Sequence, residues 1–168
     1  CHFLISGLNK QQVDLAGAKS WSEVLRRNAV YAKAHPGKGW LLGRSWDQNL
    51  WADKGNPVND SLNSLFPDRP VLLQRIDEHA AIVNQTALDS AGLTAQSSVP
   101  GGMLGVRNGR LTGMLSDNSV SAFRKIIDDA DEATKRKALL AAQHDCLNAG
   151  LTMVCIAGLN VDNIALIK

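Results

Sequence analysis

Short apolar runs alternate with amphipathic stretches along the chain, and this alternation predicts a mixed α/β protein. The runs "GWLLGRSW", "PVLLQRI" and "AAIVN" have the length and the Trp, Val and Ile content of strands. The last two are expected to pair as a hairpin. Asn108-Gly109 lies between two further apolar-rich runs, and both residues tolerate positive φ, so this dipeptide predicts another hairpin.

Three further segments are predicted as strands. They are "QVDLAGA" near the start, residues 2–6, and "LTMVCIAG", which is expected to be buried because it is almost uniformly apolar. The first predicted strand, residues 2–6, begins without a preceding loop or turn. The final helix, expected from Asn160, has no end signal, so both ends indicate a fragment of a larger protein.

Helix signals separate these strands. Ser20 and Glu23 have the capping-box spacing, so a helix is expected to begin at Ser20 and run to about residue 34. Asn84 is expected to cap a short helix that Gly92 ends. A longer helix is predicted from about 131 to 149, with apolar positions on one face.

Composition and charge narrow the class of function. The chain has 168 residues, of which 45% are hydrophobic and 20% charged, which is typical of a soluble globular domain. The net charge of +2 is spread without a basic stripe, so nucleic acid is not expected as a partner. No apolar run reaches the roughly 20 residues of a membrane helix, so no membrane contact is expected. We find no signal peptide, and the compartment is left unassigned.

The cysteines and the first histidine are candidate metal ligands, and the cysteines are also candidate disulfide partners. Cys1, Cys146 and Cys155 are far apart and form no CxxC pair, which argues against a zinc knuckle or a disulfide framework. Cys146 and Cys155 are predicted as small core residues. Cys1 and His2 are residue types that ligate metals, and three explanations stay open: a trimmed surface end, a lipid-modified cysteine, or a cut through a larger protein.

Two polar clusters are candidates for binding. Asp77 and His79 belong to a charged group between two strongly apolar segments, where unpaired buried charge would be costly. This group is either a charged hairpin tip or a strand end that faces a pocket and contacts a substrate. Trp46 and Trp51 bracket Asp47, and they are either core anchors for a loop or the rim of a pocket.

Several segments together resemble one family. They occur in the order and rough spacing of the amidohydrolase superfamily, and the chain most resembles its N-substituted formamide deformylase-like branch. The segments that carry the resemblance are "GRSWDQNLW", "DRPVLLQRIDEHAAIVNQTALDSAGL", "GRLTGMLSDN" and "NAGLTMVCIAG".

The resemblance implies a metal-dependent hydrolase of amides or other non-peptide C–N bonds, with a small-molecule amide as substrate. The family's first barrel strand ends in His-x-His, which binds a divalent metal, expected here to be zinc in the complete protein. Matched to this sequence, Cys1 is the spacer and His2 is the second histidine. The family's other ligands and its catalytic aspartate lie later, so we expect no catalytic residue and no tightly bound metal in this chain.

The implied fold is a mixed α/β lobe together with part of a (β/α)₈ barrel. A barrel needs roughly 250 residues, so the chain is expected to be truncated and inactive on its own. Residues 1–10 would be the remnant of the first barrel strand and its loop. Residues 11–118 would form an insertion lobe of strands and helices, and 119–168 barrel-type helices with the second barrel strand.

If that lobe covers the catalytic face of the barrel, four side chains would line the substrate: Trp46, Asp47, Asp77 and His79. The exposed faces of a truncated barrel would also favour association of identical copies.

Two departures from the family pattern support an alternative. Glu78 stands where the family usually has glycine, and Cys155-Ile156 stands where it usually has His-Asp. A glycine would permit positive φ at the first position more cheaply than a glutamate. The alternative is therefore a free-standing, non-catalytic α/β module that binds a small molecule or a partner.

Overall fold

The computed structural model describes residues 2–124, 126–127, 130–156 and 161–167. The chain divides into a helical unit, Cys1–Gln12 with Asp129–Lys168, and a sheet unit, Val13–Asp128. Across the described ranges, no helix combines the length and the apolar character needed to cross a membrane.

A mixed six-stranded sheet is the basis of the sheet unit, and the predicted mixed α/β class is confirmed. The strand order is β1-β2-β3-β4-β6-β5, in which the first three strands are parallel and the other pairings are antiparallel. The strands are β1 (Val13–Asp14), β2 (Leu41–Trp46), β3 (Val71–Arg75), β4 (Ala80–Val83), β5 (Gly102–Arg107) and β6 (Arg110–Asp117). The helices are α1 (Phe3–Asn9), α2 (Trp21–Ala34), α3 (Asp60–Leu65), α4 (Gln85–Ser90), α5 (Asn118–Arg124), α6 (Glu132–Asn148) and α7 (Val161–Ile164), with a 3₁₀ turn at Gln48–Leu50.

Both faces of this sheet are covered, which is why its central strands are apolar at almost every position. One face packs against α2 and α3, and the buried residues there include Val24, Leu41, Trp46, Leu62, Val71, Leu73 and Ile82. The other face packs against α4 and α5, and its core includes Leu72, Ala81, Val83, Leu88, Leu115, Val120 and Phe123.

A β-bulge at Ser45 decides which face Trp46 occupies. The pairing of β2 with β3 shifts register between Arg44 and Trp46, and Ser45 has a φ of 69°. The extra residue reverses the alternation of side chains, so Trp46 joins Leu41 on the same face of the sheet. Trp46 is fully buried, and its indole Nε1 donates to the Leu73 carbonyl at 2.8 Å.

Local signals in the sequence are confirmed at several boundaries. The Ser20 side chain caps α2 by accepting from the Glu23 backbone N–H at 3.1 Å. Strands β3 and β4 form the expected antiparallel hairpin. Asn108 and Gly109 join β5 to β6 with φ values of 51° and 72°, as expected of a tight hairpin turn.

Asn84 does more than begin α4. Its side chain is fully buried, and Oδ1 accepts from the backbone N–H groups of Val71 at 2.9 Å and Ala87 at 3.1 Å. Its Nδ2 donates to the carbonyls of Phe66 and Arg69, each at 2.8 Å. One buried amide thus connects the start of β3, the segment before it and the first turn of α4, and both its oxygen and its nitrogen are hydrogen-bonded.

The helical unit is held by contact between α1 and α6. Leu4 of α1 is buried with Ala138 and Leu139 of α6. A Cβ at Gly7 would lie 2.0 Å from the Ala138 carbonyl oxygen, so the absence of a side chain there allows the two helices to approach closely.

The strand predicted for residues 2–6 is wrong, because residues 3–6 belong to helix α1 and His2 immediately precedes it. Short apolar runs do not separate strand from helix by composition alone. Here Leu4 and Gly7 are buried at a spacing of three residues, which is a helical stripe against α6. The assignment of residues 1–10 to the first barrel strand and its loop in a longer protein stays a prediction.

The buried strand predicted for "LTMVCIAG" is also wrong over its described part. Residues 151–156 form neither helix nor strand, Met153 is 89% exposed, and Cys155 is exposed. Cys146 is half-buried, so the expectation of two core cysteines is not met. An apolar run becomes a buried strand only when another strand pairs with its backbone, and no described strand does so here.

The last helix and the limits of the two units differ in how far they can be compared with the sequence predictions. Asn160, the predicted start of the last helix, lies outside the described residues, and α7 is described over Val161–Ile164. Helix α5 packs with β5 and β6, and the sheet unit extends to Asp128. The division into an insertion lobe and barrel segments stays a prediction.

Gly113 on β6 offers a direct test of the approach of β6 to β4. Its φ is +83°, and a Cβ there would lie 2.2 Å from the Val83 carbonyl oxygen. Gly109 has a similar φ of +72° with nothing within 4 Å of the position. We expect Gly113→Ala to destabilise the sheet unit by about 3 kcal/mol or more, because backbone must move. Gly109→Ala should cost only about 1–2 kcal/mol, the penalty of the left-handed conformation.

The measurement is urea unfolding followed by tryptophan fluorescence, because all four tryptophans lie in the sheet unit. Equal losses for the two alanine variants would show that β6 does not approach β4 as described.

Candidate functional site

The hairpin between β3 and β4 carries the charged cluster found in the sequence. Asp77 accepts two hydrogen bonds from Arg75, Nε to Oδ1 at 2.9 Å and an Nη to Oδ2 at 2.6 Å. The backbone N–H of His79 also donates to Asp77 Oδ1, at 3.1 Å. Asp77 therefore stabilises the turn, because its carboxylate accepts hydrogen bonds both from the strand before the turn and from the residue after it.

Glu78 takes a left-handed backbone conformation, with a φ of 63°. Its N–H donates to the Arg75 carbonyl at 3.0 Å, which closes the turn. A residue in this conformation after a tight turn is usual in short hairpin loops, and glycine is favoured there. The structure therefore places a glutamate in the conformation that a glycine would adopt more easily, at a cost of about 1–2 kcal/mol.

His79 pairs with a residue that the sequence analysis did not select. Its Nδ1 lies 3.2 Å from Oδ1 of Asp117, at the end of β6, and the Asp117 backbone N–H donates to the His79 carbonyl at 2.8 Å. Asp117 has a φ of 53°. The pair forms because β4 and β6 are neighbours, with Ala80 opposite Ser116.

These residues open onto a pocket of about 480 Å³ in the sheet unit, which we call the hairpin pocket. Its volume lies in the range of about 300–1,000 Å³ that small-molecule sites occupy. It is lined by Asp77, Glu78, His79, Asp117, Asn118, Val120 and Ser121. The His79 side chain is 75% exposed, so the imidazole can meet a ligand from solvent.

Arg75 organises the charges beside this pocket. Its hydrogen bonds to Asp77 raise the pKa of Arg75, although partial burial opposes the shift, and the negative charges of Asp47 and Asp117 add to it. The same bonds from Arg75 lower the pKa of Asp77, again against partial burial, and the His79 N–H assists. Arg75 therefore stays charged among three carboxylates and neutralises part of their repulsion.

The structure brings only part of the predicted substrate-lining set together. Asp77 and His79 line the hairpin pocket, and Asp47 lies near enough to influence Arg75. Asp47 itself caps the 3₁₀ turn, where its Oδ1 accepts from the Asn49 backbone N–H at 2.9 Å. The Trp46 ring is fully buried, as expected of a core anchor rather than of a pocket rim.

Trp51 is a core anchor as well. Its ring stacks on that of Trp46 with centroids 5.7 Å apart, and its Nε1 donates to the Ala18 carbonyl at 3.1 Å. Both indole N–H groups therefore have partners inside the protein, which is what a buried tryptophan needs.

His2, the predicted metal ligand, lies in the helical unit, exposed and just before α1, where its carbonyl accepts from the Ser6 N–H at 2.8 Å. Cys1 is outside the described residues. Within the part of the chain that the structure describes, no three His, Cys, Asp or Glu side chains converge as a metal site would need. These residues by themselves therefore do not fit a metal centre.

Sequence reasoning missed Asp117 and Ser121. Asp117 ends an apolar strand and stands before the "NSVS" start of α5, a position from which a polar side chain can project beyond the sheet edge. That signal becomes useful only when β4 is known to lie beside β6, since 37 residues separate His79 from Asp117 in the sequence.

Comparisons with a protein-family model and with known proteins each match nearly the whole chain. A model of the Amidohydrolase family matches residues 1–166. "Putative amidohydrolase YtcJ" of Bacillus subtilis (strain 168) is 34% identical over 153 residues, which is 90% of this chain and 29% of that protein. "Protein LONG AFTER FAR-RED 3" of Arabidopsis thaliana is 27% identical over 159 residues, covering 94% of this chain and 27% of that protein.

Two solved structures share the fold. An uncharacterized metal-dependent hydrolase from Pyrococcus horikoshii OT3 superposes with a TM-score of 0.71 at 24% identity, over 99% of this chain and 31% of that one. A second, from Pyrococcus furiosus, gives 0.69 at 24% identity, over 99% and 32%. The chain thus spans less than a third of the length of these relatives. Because the family model matches almost every residue, the chain belongs to the amidohydrolase family.

Proposed function

We propose that the chain is a portion of a metal-dependent hydrolase that acts on small-molecule amides or other non-peptide C–N bonds. The observation that carries this proposal is the family match over residues 1–166. The names of the two Pyrococcus proteins that share the fold, both metal-dependent hydrolases, support it. The nearer resemblance, to N-substituted formamide deformylase-like enzymes, rests on the sequence segments alone.

The hairpin pocket is the part of this chain that we assign to the substrate. His79 offers an exposed ring held by Asp117, and Asp77 is fixed by Arg75, so both side chains are presented in defined positions. Such pre-positioned polar groups orient a ligand without a large loss of side-chain entropy. Asp47 would act on this site only through its charge near Arg75.

The metal centre would be completed outside this chain. We propose that the longer protein holds a divalent metal, zinc, with His2 as one ligand and Cys1 as the spacer of a His-x-His pair. Zinc in hydrolases is typically held by three protein ligands, and supplies a Lewis acid to the reaction when bound. A single histidine from this segment does not reach that number, so the chain alone is proposed to be inactive.

Metal analysis of the purified chain tests the proposal that its metal site is incomplete. After growth with added zinc and dialysis against a weak chelator, we expect far less than one zinc per chain, because one imidazole binds zinc weakly. The measurement is elemental analysis by mass spectrometry, with His2→Ala as the matched variant. Stoichiometric zinc that disappears in His2→Ala would contradict the proposal of an incomplete site.

The role of the hairpin pocket can be tested in the longer hydrolase that carries this segment, loaded with zinc. With an N-substituted formamide as the probe, we expect His79→Gln to lower kcat/KM about tenfold to a hundredfold, through the loss of a positioned hydrogen-bonding group. His144→Gln is the control, because His144 is exposed on α6 and is not among the pocket residues. Equal activity of the two variants would show that the His79 side chain does not contribute to substrate binding or turnover.

We also propose that the isolated chain self-associates through its helical unit. That unit has a groove of about 500 Å³ whose walls are mainly apolar, including Phe3, Leu139, Leu140, Val154, Ile156 and Leu166. The relatives are about three times longer, so a longer chain is available to cover this face in them. In the isolated chain, a second copy with the same apolar face is the available cover.

Light scattering after size exclusion tests the association. We expect dimers for the wild-type chain and monomers for Leu140→Glu, because a charge would be buried without a partner at the interface. Val30→Glu is the control, since Val30 is similarly exposed but lies on α2 of the sheet unit. A monomeric wild-type chain would contradict the proposal, as would a dimer that Leu140→Glu leaves intact.

A further inference from the structure

Two contacts, not one, join His79 to Asp117. The side chains meet at 3.2 Å between Nδ1 and Oδ1, and the backbone N–H of Asp117 donates to the His79 carbonyl at 2.8 Å. The next residues along the two strands, Ala80 and Ser116, are paired in the sheet. The backbone contact therefore holds the two side chains next to each other even though both are largely exposed.

Left-handed backbone conformations occur at Asp117 itself and directly before His79. Asp117 has a φ of 53°, and Glu78, immediately before His79, has a φ of 63°. Residues other than glycine adopt this conformation at a cost, and aspartate tolerates it better than most because its short side chain can hydrogen-bond locally. Both His79 and Asp117 line the hairpin pocket.

The chemistry of the contact selects one form of the imidazole. A carboxylate at neutral pH can only accept hydrogen bonds, so the contact requires a proton on Nδ1 of His79. A neutral imidazole carries one ring proton, and its second nitrogen then becomes an acceptor. Among the described residues, Nε2 of His79 has no partner, and the ring lines the pocket.

The other acidic groups of the pocket do not compete for this proton. Asp77 is occupied by Arg75 and by the His79 backbone N–H rather than by the ring. Glu78 also lines the pocket, but the carboxylate within hydrogen-bond distance of the His79 ring is that of Asp117.

We infer that Asp117 is a positioning residue: it holds His79 in the Nδ1–H tautomer, so that Nε2 accepts a hydrogen bond from the N–H of an amide substrate. The substrate part of this inference rests on the proposed function, whereas the tautomer is a property of the chain alone. The inference favours amides that keep an N–H over fully substituted amides, because only the former can donate to Nε2.

The first experiment uses the chain itself, labelled with ¹⁵N at histidine. Long-range proton–nitrogen correlation spectra at about pH 8, above the usual histidine pKa, distinguish the two tautomers by the shifts of the ring nitrogens. His79→Gln assigns the resonance among the four histidines. We expect the Nδ1–H pattern for wild-type His79, and an Nε2–H pattern there would overturn the inference without any variant.

A matched pair of variants then separates the effect of the direct Asp117 contact from the effect of negative charge elsewhere in the pocket. Asp117→Gly and Glu78→Gly each remove one carboxylate from the same pocket and place glycine where the backbone φ already suits it. We expect Asp117→Gly to give a mixture of tautomers and Glu78→Gly to leave the wild-type pattern. An equal response to both would show that Asp117 has no specific role.

The second experiment addresses the substrate, in the longer zinc-loaded hydrolase. We expect Asp117→Gly to lower kcat/KM about tenfold for an N-monosubstituted formamide, about the value of one hydrogen bond, and to leave an N,N-disubstituted formamide nearly unaffected. Equal losses for both amides would contradict the role toward substrate. If the tautomer result stands while neither amide is hydrolysed by the wild-type enzyme, the proposed function fails and the Asp117–His79 pairing does not.

Discussion

The antiparallel pairing of β4 with both β3 and β6 is the constraint on which the sheet unit depends. β4 is only four residues long, and each of its side chains is buried. It joins the parallel strands β1–β3 to the β5–β6 hairpin. Gly113 shows how closely β6 fits against it, because a single Cβ would collide with the Val83 carbonyl. Asn84, at the end of β4, satisfies backbone groups around the start of β3.

The candidate site follows from the same pairing. The turn after β3 carries Asp77 and His79, and the end of β6 carries Asp117. These segments are distant in sequence, and only β4 between them brings their polar ends to the same edge of the sheet. Arg75 balances the carboxylates that this arrangement gathers. The edge can hold so many polar groups because most of them are exposed, whereas the strands behind them are apolar.

Sequence reasoning succeeded where the signal was local and failed where it depended on a neighbour. The Ser20 cap and the Asn108-Gly109 turn were predicted because each is decided by residues within a few positions. The helix at Phe3–Asn9 was mistaken for a strand because a short apolar run is compatible with either, and only packing against α6 decides. Trp46 was placed at a pocket rim as one alternative because the bulge at Ser45, which reverses the alternation, leaves no clear mark in the sequence.

By itself, the sequence determined the mixed α/β class, the hairpins, the starts of α2, α4 and α6, and the family, since these follow from spacing, turn chemistry and ordered segments. It also selected Asp77 and His79, because charge between two apolar strands needs a partner. Only the tertiary structure decided that Asp117 is a partner of the His79 ring, that Glu78 takes a left-handed backbone, and that Trp46 belongs to the core. Strand neighbours and register set these outcomes, and both are properties of chain segments far apart in sequence.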